Sequence, residues 1–191
     1  MTLLSRAVTD RDHTQGPPDA PVTLVEYGDY ECPHCGKAFP ALEEIRLILG
    51  DSLRLAFRHY PINLSHTHAE MAAQAAEAAG AQGRFWEMHA KLFLNQDALD
   101  RSSLERYAIE VGLDVARFHM DLATGAYRER IWEDVQSAEE SGVTWTPTFF
   151  INDERFGYAP DLKGLFQALQ TAVAAAQSSK RSGVTLRGAP R

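Results

Sequence analysis

Apolar positions divide the chain into two strand-forming ends and a helical middle. Residues 22–27 form an apolar run, and residues 53–57 alternate apolar with polar or small side chains, which is typical of strands. Between these runs the apolar positions recur at helical spacing from Pro33 to Leu49, and Gly50 ends the pattern. The ordered part of the chain therefore begins as β-α-β, a unit whose two strands lie parallel with a right-handed crossover.

The middle of the chain is almost purely helical in pattern. We predict helices over residues 69–80, 85–94, 102–111, 115–123 and 127–140.

Strand character returns after this helical block. Residues 148–151 are apolar, a turn is predicted at residues 152–154, and a short strand follows at residues 155–157. A final amphipathic helix is predicted from Asp161, its N-cap, to Gln177. Two separated sheet-forming segments can share one sheet only if the helical block is inserted between them. The fold class is therefore α/β with a helical insertion.

The same pattern assigns the chain to segments. Residues 1–20 are polar and end in Pro and Gly, so we expect an N-terminal arm. Residues 21–61 and 142–178 are predicted to form the sheet-containing domain, with residues 62–141 as an inserted helical subdomain. Residues 179–191 carry four basic and no acidic residues, and we expect a flexible basic tail.

Composition limits the classes of partner. The 191 residues are 45% hydrophobic and 24% charged, which suffices for a substantial core. The net charge of −7 argues against nucleic acid as the main partner, because phosphate binding requires a basic face. No stretch reaches the roughly 18 apolar residues of a membrane span, and the first residues carry no apolar segment of signal-peptide length. We therefore expect a cytoplasmic protein without a membrane span.

The two cysteines of the chain stand together, in the tetrapeptide Cys32-Pro33-His34-Cys35 between the first strand and the first helix. At the helix start, free backbone N–H groups and the positive end of the helix dipole favour a thiolate on Cys32. Pro33 fits the first turn because its missing N–H has no intrahelical partner there. Cys35 lies one turn further on the same face, so the pair can close a small disulfide ring. We predict a redox-active dithiol whose Cys32 sulfur is exposed.

Several neighbouring side chains are candidates for tuning this dithiol. His34 can stabilise the thiolate by charge or hydrogen bonding, which makes the disulfide more oxidising. The Glu26 side chain points to the face of the strand opposite to that of Val25 and Tyr27. Helices on both sides of the strand would therefore bury its carboxylate beneath the dithiol. Buried carboxylates have raised pKa values and serve proton transfer. Asp29 and Glu31 oppose thiolate formation, although exposure and salt would screen them.

Two other interpretations of the cysteines stay open. They could be half of a zinc site with two ligands from His59, His66, His68 or His89, but the chain offers no second Cys-x-x-Cys. They could also be inert packing residues, which the strand, Pro and helix context disfavours. His59, His66 and His68 are more typical of surface or capping positions, and we expect no metal site.

Two segments, residues 26–35 and 142–151, resemble the DsbA-like branch of the thioredoxin superfamily. They are most similar to the thioredoxin-like proteins whose relatives also occur fused to sodium/proton antiporters. The resemblance is specific over roughly residues 17–61 and 141–177. It implies a thioredoxin fold, β-α-β then β-β-α around a central mixed sheet, with a helical insertion between the halves.

The resemblance also implies roles for individual residues. Cys32 is similar to the attacking cysteine of the family and Cys35 to the resolving one. Pro147 matches the cis-proline that faces the dithiol, and Thr146 the residue that presents its backbone to a substrate peptide. Trp145 is adjacent to both and is a candidate for lining the substrate groove.

The implied activity is thiol-disulfide exchange with protein or peptide substrates through a mixed disulfide on Cys32, with Glu26 as proton relay. A recycling partner such as glutathione or the thioredoxin system is implied, and no metal or organic cofactor. In the cytoplasm a strongly oxidising couple would rest as the dithiol and serve isomerisation or repair. Two alternatives stay open: a non-catalytic peptide-binding or chaperone module, and a glutathione-dependent transferase or isomerase, which two cysteines disfavour.

Overall fold

One five-stranded sheet and seven helices make up the part of the chain that the structure describes. This computed structural model describes residues 2–62, 65–157 and 162–185. The strands are β1 (His13–Gln15), β2 (Val22–Gly28), β3 (Leu53–His59), β4 (Thr148–Ile151) and β5 (Glu154–Phe156). The helices are α1 (Pro33–Leu49), α2 (Ala69–Gly80), α3 (Phe85–Leu94), α4 (Arg101–Glu110), α5 (Val115–Thr124), α6 (Arg128–Glu140) and α7 (Leu162–Thr185).

The sheet is mixed and has the strand order β1-β3-β2-β4-β5. β2 and β3 pair in parallel with Val22 opposite Leu53, as the β-α-β pattern predicts. β4 runs antiparallel to β2, with Phe149 opposite Glu26, and β5 runs antiparallel to β4. The predicted fold class, a thioredoxin fold with a helical insertion between its two halves, is confirmed.

Alternation along the central strand β2 decides which helices cover each face of the sheet. Leu24 packs with residues of α1 and α7, whereas Val25 and Tyr27 pack with residues of α6 on the other face. Glu26 therefore belongs to the face that α1 covers. The two cysteines lie in a third cluster, with Tyr30 and the alanine-rich helix α2. The dithiol thus sits where the sheet meets the helical insertion.

Helix boundaries in the insertion follow the local sequence. α2 and α3 begin and end where the apolar pattern predicts, and the other three differ by single residues. α4 begins at Arg101 because the side chain of Asp100 accepts hydrogen bonds from the N–H groups of Ser102 and Ser103. α5 ends because Gly125 adopts a left-handed conformation with φ 65°.

The N-terminal segment differs from the predicted arm because it is part of the sheet. It contains β1, which pairs antiparallel with β3. The buried Arg58 of β3 holds the segment by donating hydrogen bonds to the carbonyls of Arg6 and Ala7, and its Nε lies 2.7 Å from the carboxylate of Asp12. The apolar pattern missed β1 because its three residues are all polar, so they show no strand alternation.

The last helix is longer than predicted. α7 continues to Thr185, past the predicted end at Gln177 and into the segment that the pattern assigns to a flexible tail. Residues 178–185 contain no proline, so the helix can continue through them although the apolar pattern has ended. The predicted N-cap Asp161 and residues 186–191 lie outside the described residues. No described helix combines the length and apolar content that a bilayer crossing needs.

Candidate active site

The dithiol stands at the start of α1. Cys32 is the N-cap residue, its backbone is extended (φ −74°, ψ 120°), and Pro33 follows in the first turn. Both cysteines are free. The Cys35 thiol hydrogen-bonds to the Cys32 sulfur and is the main reason why the pKa of Cys32 is lowered to about 5, against the opposing effect of burial. Hydrogen bonding by the Thr146 side chain and by the backbone of the first turn, at Cys35 and His34, lowers this pKa further.

The second cysteine is shifted in the opposite direction. Burial raises the pKa of Cys35 well above its ordinary value, and its hydrogen bond to Cys32 and the charge of Glu26 add to the effect. At neutral pH the pair therefore consists of one thiolate and one thiol. This asymmetry suits a nucleophile with a resolving partner.

The expectation of an exposed Cys32 sulfur is wrong. Cys32 is 4% exposed and Cys35 is fully buried. The insertion reaches the backbone of the nucleophile loop, where the side-chain amide of Gln96 donates hydrogen bonds to the carbonyls of Tyr30 (2.8 Å) and Cys32 (2.9 Å). A Cβ at Gly36 would lie 1.9 Å from the Gln96 side-chain oxygen, so any larger residue there would have to displace the Gln96 side chain.

Glu26 is buried, as its strand position predicts. It is 3% exposed, and desolvation together with the charge of Cys32 raises its pKa to about 8. Its Oε1 has no hydrogen-bond partner within the described residues. Phe57 on β3 and Phe149 on β4 are its partners in the two strand registers. The carboxylate is thus an isolated ionisable group near both sulfurs.

The loop before β4 reaches the dithiol. The Thr146–Pro147 peptide bond is cis, and the Thr146 carbonyl oxygen lies 3.4 Å from Cys32 Sγ, where it can accept a hydrogen bond from the protonated form of that thiol. Trp145 is half-buried, and the guanidinium carbon of Arg155 lies 4.7 Å from the centre of its ring. Thr146 therefore lies at the nucleophile and Pro147 follows it through the cis bond, whereas Trp145 contacts β5.

A cavity of about 580 Å³ lies next to the same loop. Thr144, two residues before Thr146, contributes to its wall, and Trp145 does not. The apolar part of the wall consists of Tyr60, Pro61, Ile62, Ile131, Trp132 and Val135. A role for Trp145 in substrate binding stays a prediction.

The acidic residues before the dithiol are paired, which the sequence interpretation missed. Asp29 is buried, and its carboxylate accepts hydrogen bonds from the N–H groups of Glu31 and Ile62, each at 2.8 Å. His66 Nδ1 lies 2.7 Å from the same carboxylate. Glu31 accepts a 2.6 Å hydrogen bond from the N–H of His68. The expectation that both acids are exposed and screened is wrong for Asp29.

The histidines proposed as zinc ligands have partners other than the cysteines. His59 Nε2 lies 3.0 Å from Glu77 Oε1, and His89 Nδ1 lies 2.9 Å from the Tyr30 hydroxyl. Within the described ranges, the group of side chains close enough to hold a metal is His59, Glu77 and Asp134, without a cysteine. The structure thus offers no support for a zinc site at the dithiol. His34, the remaining tuning candidate, has an exposed side chain.

The sequence matches known proteins over most of its length. Residues 8–171 match the family model described as thioredoxin. The Na(+)/H(+) antiporter NhaA 1 of Mycobacterium sp. is 44% identical over 172 residues, which are 89% of this chain and 28% of the antiporter. NhaA 3 of Salinispora tropica is 46% identical over 174 residues, 91% of this chain and 26% of that protein. The chain spans little more than a quarter of the curated relatives that it matches.

Solved structures share the fold. The crystal structure of a thioredoxin-like oxidoreductase from Silicibacter pomeroyi aligns with a TM-score of 0.75 and 28% identity, covering 89% of this chain and 94% of that one. Wolbachia pipientis alpha-DsbA1 aligns with a TM-score of 0.77 and 23% identity, covering 90% of this chain and 96% of that one.

Proposed function

Because the chain belongs to the thioredoxin family, we propose that it exchanges disulfides with protein substrates through a mixed disulfide on Cys32. The observation that carries the proposal is the opposite shift of the two thiols, with the pKa of Cys32 at about 5 and that of Cys35 raised. A thiolate attacks disulfides, and a neutral neighbouring thiol can resolve the product. DsbA-type structural neighbours support the same reaction class.

In the reducing direction the Cys32 thiolate attacks one sulfur of a substrate disulfide. The mixed disulfide forms and the other substrate sulfur leaves as a thiolate. Cys35 then loses its proton and attacks the Cys32 sulfur, which closes the Cys32–Cys35 disulfide and releases the second substrate thiolate. Two electrons pass from the dithiol to the substrate. The oxidising direction is the reverse sequence.

Glu26 is the proton acceptor for Cys35 in this scheme. The charge of Cys32 is one of the two causes that raise the pKa of Glu26. Burial, the larger cause, remains in the mixed disulfide, but the charge of Cys32 disappears, so the pKa of Glu26 falls and a larger fraction of it is ionised and can accept a proton. Glu26 thus becomes a better proton acceptor at the step in which Cys35 loses its proton.

The low pKa of Cys32 also bears on the direction of exchange. A stabilised thiolate favours the reduced form and makes the disulfide oxidising. In the cytoplasm, which stays the proposed location, the protein would rest as the dithiol against the glutathione pool. Isomerisation or repair of accidental disulfides is then the proposed use, with glutathione or a thioredoxin-type system as the proposed recycling partner.

Trapping tests the proposal directly. A Cys35→Ala variant should hold scrambled ribonuclease as a mixed disulfide that migrates as a larger species on a non-reducing gel. Cys32→Ser/Cys35→Ala is the matched control and should trap nothing. If wild type and Cys32→Ser are equally inactive in insulin reduction and ribonuclease isomerisation while both bind unfolded ribonuclease, the protein is a binding module instead. Saturation of the rate with glutathione alone would indicate a glutathione-dependent enzyme.

A further inference from the structure

Asp29 places a buried negative charge in the loop that delivers the nucleophile. Its side chain is fully buried. Its backbone carbonyl accepts a hydrogen bond from the N–H of Cys32 at 3.2 Å. Its carboxylate ties this loop to the segment after β3 through the N–H of Ile62. Asp29 therefore holds the backbone of Cys32 at its N–H, and Gln96 holds it at its carbonyl.

This anchor carries an electrostatic cost. A buried carboxylate requires a counter-charge or several hydrogen bonds, because burial removes its hydration. A carboxylate close to a thiolate also opposes formation of that thiolate. Nevertheless the pKa of Cys32, three residues away, is lowered to about 5. Two backbone N–H groups, those of Glu31 and Ile62, hydrogen-bond to the Asp29 carboxylate but bring no positive charge, so a cation beside it would reduce its repulsion of the thiolate.

His66 is placed to compensate it. Its Nδ1 lies 2.7 Å from Asp29 Oδ2, and its side chain is 18% exposed. Desolvation lowers the pKa of His66, but the hydrogen bond and charge of Asp29 and the charges of Cys32 and Glu31 outweigh that effect and raise it. Since coupling between two charges is reciprocal, a protonated His66 stabilises the Cys32 thiolate as much as the thiolate stabilises His66.

The second acid and histidine of this region form a weaker pair. The ring of His68 lies 3.3 Å from the carboxylate of Glu31, with side chains 45% and 23% exposed. Solvent screens a pair at that exposure. Of the two histidines, His66 therefore forms the shorter and less screened pair with an acid of this loop.

We propose that His66 is a positioning residue for the exchange reaction, which neutralises Asp29 so that the buried carboxylate anchors the nucleophile loop without opposing the thiolate. The proposal rests on the proposed function, because the charge of the Cys32 thiolate matters only if Cys32 exchanges disulfides. Its test does not require catalytic turnover. Removing the positive charge with His66→Gln, which can still donate a hydrogen bond to Asp29, isolates charge from packing. His66→Ala removes both.

The thiolate absorbance at 240 nm, followed against pH, measures the effect. Both His66 variants should raise the pKa of Cys32 by about one unit, a tenfold change in the thiolate-to-thiol ratio. In equilibration with glutathione the reduction potential should fall by about 30 mV, which is the same factor of ten for a two-electron couple. His119→Ala, which removes a histidine of α5 paired with Glu105 at 3.3 Å, is the control and should change neither value.

The double variant Asp29→Asn/His66→Gln decides between charge and structure. With no charge left to neutralise, the pKa of Cys32 should return towards the wild-type value. A merely structural role for His66 would leave the double variant as far from wild type as the single one, or further. An unchanged pKa of Cys32 in folded His66→Gln would overturn the proposal outright.

The role of His66 and the proposed function can be refuted independently of each other. If wild type exchanges disulfides normally and the His66 variants leave the pKa of Cys32 unchanged, only the role of His66 is refuted. If wild type proves inactive in exchange but the double variant reverses the shift, the role of His66 stands and the oxidoreductase proposal fails.

Discussion

Replacing Glu26 with glutamine removes the ionisable group beneath the dithiol and keeps its shape. The folded pKa of Glu26 is about 8, against an ordinary value of 4.5. At about 1.4 kcal/mol per pKa unit, this difference is worth on the order of 5 kcal/mol of folding stability. The reduced wild-type protein holds this stability fully below pH 4.5, where Glu26 is protonated in both the folded and the unfolded chain.

The sign of the pH dependence follows from proton uptake. Between pH 4.5 and about 8 the unfolded chain loses the Glu26 proton while the folded chain keeps it, so wild-type stability falls as pH rises. Glu26→Gln lacks this dependence. The free energy of unfolding of wild type minus that of the variant should therefore drop by roughly 5 kcal/mol from pH 4 to pH 9, and by about 3 kcal/mol up to pH 7.

Urea unfolding of the reduced proteins, followed by tryptophan fluorescence at a series of pH values, measures the difference. Cys32→Ser provides an internal control. Loss of the thiolate charge lowers the pKa of Glu26, so the stability of this variant should fall over a narrower pH range than that of wild type. Parallel pH profiles of wild type and Glu26→Gln would refute the reasoning, since they would mean that the carboxylate ionises as freely when folded as when unfolded.

Two further predictions concern the surroundings of the dithiol and the N-terminal segment. Gln96→Ala should speed alkylation of Cys32 by iodoacetamide several-fold and cost about 1–2 kcal/mol, because two hydrogen bonds over the first turn are lost. Gln82→Ala, which loses two hydrogen bonds to the backbone of Asp114, should lose similar stability without a change in alkylation rate. Equal acceleration in both variants would show that the contacts of Gln96 with the nucleophile loop do not restrict access to Cys32. Arg58→Met should destabilise the protein by about 3 kcal/mol in chemical denaturation, because it leaves Asp12 buried without its partner. A loss below about 1 kcal/mol would show that β1 and its segment do not depend on this ion pair.

Features of the fold that depend on local periodicity were accessible from sequence. Apolar spacing locates α2 and α3, and a helix beginning at Pro33 makes Cys32 its N-cap. Alternation along β2 likewise predicts the burial of Glu26, since a central strand leaves no solvent-facing side. Each of these inferences needs residues no further apart than one element.

Features that depend on distant contacts were not accessible in this way. Gln96 reaches the carbonyl of Cys32 across 64 positions of sequence, and His66 reaches Asp29 across 37. Nothing in the spacing of these polar residues indicates that they meet, so the Gln96 contact with Cys32 and the pairing of the buried acid emerge only from the packing of the fold. β1 was missed for a related reason, because its pairing with β3 makes it a strand and its own side chains do not.

The pKa of the Cys32 thiol is the quantity on which the whole account depends. Absorbance at 240 nm of the reduced wild-type protein, titrated from pH 3 to pH 10 with Cys32→Ser as the baseline, measures it directly. The account predicts a thiolate that appears with a midpoint of about 5 and is missing from Cys32→Ser, with Cys35 remaining protonated well beyond it. A midpoint of about 8.5, the value of an unperturbed cysteine, would contradict it.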